Sequence, residues 1–244
     1  MGITTMTVQR DRVPRDFETA RAPATVGIVI AMLLIVVVGN MQFTEGRWAT
    51  LFGYLCVWVP LLGAIVVTGA RRGPGFWLYD LRFSVHPMDL IWGLAVGLLA
   101  RTVTSLIEIA GYGSVGTAGV TLGEIVYDGW WLFGALLAPV LLAPVIEELF
   151  FRGLVLRAVH SLAANHAGKR AASAIAIDVS GLTFALMHLV ALDLSSTATV
   201  IAVASSTLIF GLAAAWVLLA TGRIGGAIIA HVTFNALVIV PALL

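Results

Sequence analysis

Charge is scarce in this chain. Lys, Arg, Asp and Glu make up 11% of its 244 residues, against 60% hydrophobic, where soluble domains carry about 25% charged residues. That deficit, with a mean hydropathy of +1.01, leaves no soluble domain of useful size. The single cysteine, Cys56, excludes an intrachain disulfide. No basic patch accompanies the net charge of +1, so nothing points to nucleic acid. Internal repeats and low-complexity linkers are missing too, which implies one transmembrane domain, 24–244, behind a polar tail, 1–23. No small-x-small pattern closes the first apolar stretch, Ala24 to Val38, so it is expected to be a retained helix and not a cleaved leader.

What the chain does have is repeated apolar stretches, each long enough to cross a hydrocarbon core of about 30 Å. They imply an all-α, multi-pass membrane protein, a bundle of seven to eight helices embedded in a lipid bilayer. The expected spans lie near 24–42, 48–70, 88–110, 130–160, 171–192, 196–220 and 223–243. Turn residues separate them: Arg71-Arg72-Gly73-Pro74-Gly75, His86-Pro87, the Gly-rich stretch from Gly111 to Gly123, and Thr221-Gly222. Arg and Lys fall mainly in alternate connections, the first loop holding only Arg47. The tail has Arg10, Arg12, Arg15 and Arg21, the second loop Arg71, Arg72 and Arg82, the fourth Arg157, Lys169 and Arg170, and the sixth Arg223. That alternation fits a cytoplasmic N-terminus, with the cell membrane as the expected location.

One span does not fit simply. A helix beginning at Trp130 puts Glu147 about 25 Å from its start at 1.5 Å per residue, far from His188 near the end of the next span. Pro139 and Pro144 offer a break. The expectation is a helix starting near one of them, with Tyr112 to Ala138 forming an extra span or re-entrant piece and Trp130 and Trp131 interfacial.

The polar residues of the second half form a pattern. Glu147, Glu148 and Arg152 interrupt a run that is otherwise apolar from Ala135 to Leu156. A charge at bilayer depth costs roughly 2.5–3.5 kcal/mol on insertion scales, so such residues are functional candidates by default. His188 ends Phe184-Ala-Leu-Met-His188, and His231 and Asn235 stand four apart in the last span, on one helix face. Each has a plain reading: a histidine bonded to a backbone carbonyl, Asn235 as glue between helices, Glu148 with Arg152 as a structural ion pair. The ensemble is harder to dismiss. Arg101 and Glu108, seven apart in the third span, are read instead as structural or snorkelling side chains. His86, His160 and His166 flank loops and are expected to be solvated.

These groups suffice to hydrolyse an amide. Glu147 can take a proton from water, His188 can orient that water, and His231 with Asn235 can donate to the oxyanion. Alternatively, Glu147, His188 and His231 are candidate zinc ligands in a His₂Glu site with a bound water. The chain lacks His-Glu-x-x-His, so such a site would be assembled from separate helices. Spacing leaves both mechanisms open.

Taken in order, Glu147-Glu148-x-x-x-Arg152, Phe184-x-x-x-His188 and His231-x-x-x-Asn235 resemble the signature of the CPBP family of intramembrane proteases. That family comprises the CAAX prenyl endopeptidases and the bacteriocin-processing or self-immunity (ABI) proteins. The resemblance covers a catalytic core of about 130–243. It implies some eight helices around a catalytic cavity, and cleavage of a peptide bond in a membrane-bound protein or peptide, lipidated or not. Glu147 would be the base and His188 its partner. His231 and Asn235 would line the oxyanion site, with Glu148 and Arg152 supporting. The family is described both as metalloprotease and as metal-free glutamate protease. Two other readings compete: a catalytically silent immunity or binding factor of the same fold, and an ion-coupled transporter, which an inverted repeat would support.

Overall fold

The computed structural model describes residues 17–43, 45–113, 115, 128–190, 192 and 196–242. Most of the expected polar tail, and the stretch 116–127 in which the eighth helical piece was expected, lie outside the described residues. Seven long helices carry the chain: α1 (Arg21–Gly39), α2 (Gly46–Arg72), α3 (Pro87–Tyr112), α4 (Gly129–Ala164), α5 (Lys169–Val190), α6 (Thr197–Thr221) and α7 (Gly225–Ala242). The first six are long and apolar enough to cross a membrane, and Gly225–Pro241 is a shorter apolar helix. The chain is a multi-pass helical membrane protein, without strands among the described residues.

The alternation of basic loops has a structural counterpart. At one end of the bundle, Arg72 at the end of α2 pairs with Asp80 and stacks on Phe17 ahead of α1. There too, the Phe17 amide donates to Ser161 of α4, and Arg157 of α4 donates to the Leu81 carbonyl. Asp89, fully buried in the first turn of α3, caps that helix through the His86 amide and receives Arg223 from the α6–α7 turn in a two-pronged pair. Sequence reading took Arg157 for a loop charge; the structure buries it completely. His86 and His166 are exposed as expected, whereas His160 is half-buried, 3.4 Å from Ser173 Oγ.

Helix α4 is the axis. Every residue from Leu149 to Val155 is buried, wrapped by α1, α2, α5, α6 and α7, while α3 packs outside α6 and α7. The expectation that α4 begins at Pro139 or Pro144 is corrected: the helix starts at Gly129 and runs through both prolines. Residues Leu132 to Ala138, assigned to a separate piece, are its first turns. It survives the prolines by widening. Leu132–Leu142 and Leu149–Val155 are π-helical, on either side of the short α-helical stretch that carries Glu147 and Glu148; such wide turns are frequent at functional sites.

The depth problem disappears with this geometry. At 36 residues, α4 is about 54 Å long at the α-helical rise, well beyond a bilayer core of about 30 Å. Its last turns therefore extend past the hydrocarbon. The relevant ruler is the turn between α4 and α5, from which Glu147 and His188 lie at nearly equal numbers of residues along antiparallel helices.

Candidate active site

Three helices bring the expected residues together. From α4 come Glu147, Glu148 and Arg152, from α5 His188, and from α7 His231. Glu147 Oε2 lies 3.9 Å from His188 Nε2 and 4.0 Å from His231 Nε2, and the Glu147 side chain is 12% exposed. These separations exceed a direct hydrogen bond and match what one bridging water can span. Glu147 Oε2 has no hydrogen-bond partner among the described residues.

Each imidazole is anchored through its other nitrogen. His188 Nδ1 is 2.9 Å from the Phe184 carbonyl, one turn back on α5. A carbonyl only accepts, so Nδ1 carries a proton, and the ring turns Nε2 toward Glu147. His231 Nδ1 lies 2.9 Å from Glu148 Oε1, and the same oxygen is 3.0 Å from Arg152 Nη1. Arg152 and Glu148 are fully buried. With Glu148 held as an acceptor, His231 also donates from Nδ1 and aims Nε2 at Glu147. Glu147 Oε2 and the two Nε2 atoms therefore face one another across a gap that one small group can bridge.

Arg152 also reaches α6. Its Nη2 donates to the Gly211 carbonyl of α6 at 3.0 Å. That carbonyl is reachable because α5 and α6 meet backbone to backbone. A Cβ on Gly211 would stand 3.1 Å from both the Cα and the carbonyl oxygen of Gly181. The guanidinium carbon lies 4.6 Å from the Phe184 ring centroid and 5.7 Å from that of Phe210, a cation–π environment. The same rings touch the histidines: Phe184 is 4.4 Å from His188, and Phe210 is 4.5 Å from His231. The phenylalanines thus form the wall that keeps both imidazoles edge-on to Glu147.

Glu148 has a closer role than a supporting ion pair, since it bonds His231 directly. Nothing local predicts this, because the partners are 83 residues apart. The i to i+4 spacing did announce the Glu148–Arg152 pair. Asn235, expected beside the oxyanion, gives Nδ2 to the Pro139 carbonyl at 2.8 Å, so one amide hydrogen is already committed. Arg101 and Glu108 do not join the site. They pair with each other at 3.0 and 2.9 Å and neither snorkels. The candidate zinc ligands Glu147, His188 and His231 are not arranged as a metal site: among the described residues no three His, Cys, Asp or Glu side chains are placed to hold an ion. No step below is routed through a metal.

Residues 129–237 match the family model described as Type II CAAX prenyl endopeptidase Rce1-like. No curated protein and no solved structure matches the chain.

Proposed function

The chain carries a CPBP-family domain over residues 129–237, a family of CAAX-type intramembrane endopeptidases, and on that premise we propose that it hydrolyses a peptide bond in a membrane-associated protein or peptide with Glu147 as general base. The observation that carries the reading is the convergence of Glu147 Oε2 and two imidazole Nε2 atoms within 3.9 and 4.0 Å in an apolar interior. A water held there donates one hydrogen to Glu147 and the other to a histidine, leaving a lone pair for the scissile carbonyl carbon. Attack transfers a proton to Glu147 and negative charge to the carbonyl oxygen. Glu147 then returns that proton to the amide nitrogen as the C–N bond breaks, giving a carboxylic acid and a free amine.

The oxyanion needs a donor. His231 supplies one as an imidazolium that has taken its Nε2 proton from solvent before the water adds and keeps it throughout, and Glu148 opposite Nδ1 stabilises that cation, much as a buried carboxylate does in other hydrolytic triads. Arg152 keeps Glu148 in register. His188, tied to its own helix through the Phe184 carbonyl, orients the water.

The testing experiment is cleavage of a library of fluorogenic, lipid-modified peptides by the detergent-purified chain, with and without a strong chelator. Turnover that survives the chelator supports the glutamate mechanism. Turnover that the chelator abolishes, and added zinc restores, would overturn it in favour of a metal. A chain that cleaves none of the peptides would favour a silent binding factor of the same fold.

A further inference from the structure

Pro139 and Pro144 each lack the amide hydrogen that a helix requires, and the register of α4 shows which carbonyls they leave unbonded. At the end of the first wide segment the Ala143 amide donates to the Ala138 carbonyl, five residues back. By that register Pro139 deprives the Gly134 carbonyl, and Pro144 deprives the Pro139 carbonyl. Both oxygens are filled by side chains of other helices: Tyr54 of α2 donates its hydroxyl to the Gly134 oxygen at 2.8 Å, and Asn235 of α7 donates Nδ2 to the Pro139 oxygen at 2.8 Å. Approach of α2 is close here, since a Cβ on Gly134 would sit 3.2 Å from Thr50 Cγ2.

We infer that Tyr54 and Asn235 are a matched pair of positioning residues, each replacing one backbone hydrogen bond that a proline removes from α4, and that together they hold the widened helix that aims Glu147 at the two histidines. This deepens the endopeptidase reading and rests on it for its kinetic consequence. An unbonded carbonyl in a low-dielectric interior is costly, so without its cap α4 would rewind or rotate. Glu147 and Glu148 follow directly on the capped segment, and displacements of about 1 Å at a catalytic group cost roughly 10²-fold in rate. Asn235 thereby acts through the helix and not on the substrate. Tyr54 lies outside the three sequence motifs and outside residues 129–237, and nothing in its own surroundings in the sequence marks it.

The prolines make the inference testable, because alanine at either position restores the missing amide hydrogen. In the full chain, Tyr54→Phe should lower kcat about tenfold or more while KM stays within about twofold, the pattern of a misaimed base. In a Pro139→Ala background the same substitution should cost almost nothing further. Asn235→Ala should likewise lose activity alone but add little to Pro144→Ala. A second readout is independent of turnover. In protein labelled with ¹³C-carbonyl proline and ¹⁵N valine, only the Pro139–Val140 and Pro144–Val145 bonds report. Asn235→Ala should move the Pro139 carbonyl resonance, and adding Pro144→Ala should move it back. An Asn235→Ala loss undiminished in the Pro144→Ala background, an unmoved Pro139 resonance, or wild-type kcat in Tyr54→Phe would overturn the inference. Absence of turnover in the wild type would count against the endopeptidase reading alone, and the carbonyl resonance would still decide the caps.

Discussion

Two buried ion pairs sit in the apolar interior of this bundle, and they are built differently. Arg101 and Glu108 lie two turns apart on α3 and meet in a two-pronged pair at 3.0 and 2.9 Å, and Arg101 also donates to Thr104. The bonds seen for that pair among the described residues all lie within one helix. Arg152 and Glu148 begin the same way on α4, but their bonds continue outward, to the Gly211 carbonyl of α6 and to His231 of α7. Beside them Glu147 faces two imidazoles with its Oε2 unbonded. Charge at membrane depth is therefore not in itself the mark of a site. The mark is polar geometry that several helices converge on and leave incomplete.

The largest effect that would sharpen the contrast is at Glu147. Glu147→Gln keeps the shape of the side chain but not its basicity, and should lower turnover by about 10²–10⁴-fold, the usual worth of a general base, with an unchanged melting temperature. His231→Ala removes the proposed oxyanion donor and should cost about 10²–10³-fold in kcat, measured by initial rates at saturating peptide. Arg152→Leu leaves Glu148 buried without its cation. It should cost about 3–5 kcal/mol of stability, read by thermal unfolding in detergent, along with activity. Arg101→Leu alone should destabilise by a similar amount for the same reason. Joined with Glu108→Leu, however, it should return near wild-type stability, because replacing a whole buried pair by apolar side chains is often neutral. Turnover in that double variant should be within about twofold of wild type. A large loss there would break the distinction between the two pairs.

Much of the architecture is legible in the chain because the bilayer imposes it. Spans must be apolar and of fixed minimum length, so the ends of the long helices, apart from the start of α4, fall within a few residues of their expected positions. The polar residues that the fold brings together were equally visible, since Glu147, Glu148, Arg152, His188 and His231 are costly where they stand and recur at helix-face spacings. What stayed hidden was relational. Pro139 and Pro144 show that two amide hydrogens are missing, and the plain expectation is a break. Only the fold reveals that Tyr54 and Asn235 supply the replacements from 80 and 96 residues away, so that the helix continues. Arg157 was misread for a similar reason: its neighbours suggest a cytoplasmic loop, whereas the segment before α3 folds over it and offers the Leu81 carbonyl. The bond from His231 to Glu148 likewise depends on α7 crossing α4 at one height, which no local pattern encodes.

The central claim is tested most directly by comparing three purified proteins on one panel of fluorogenic, lipid-modified peptides: wild type, Glu147→Gln, and Arg101→Leu with Glu108→Leu. The account predicts that the wild type and the double variant cleave at similar rates while Glu147→Gln is inactive, although all three remain folded. Equal cleavage by wild type and Glu147→Gln would contradict it, because the carboxylate that faces both histidines would then not be the base.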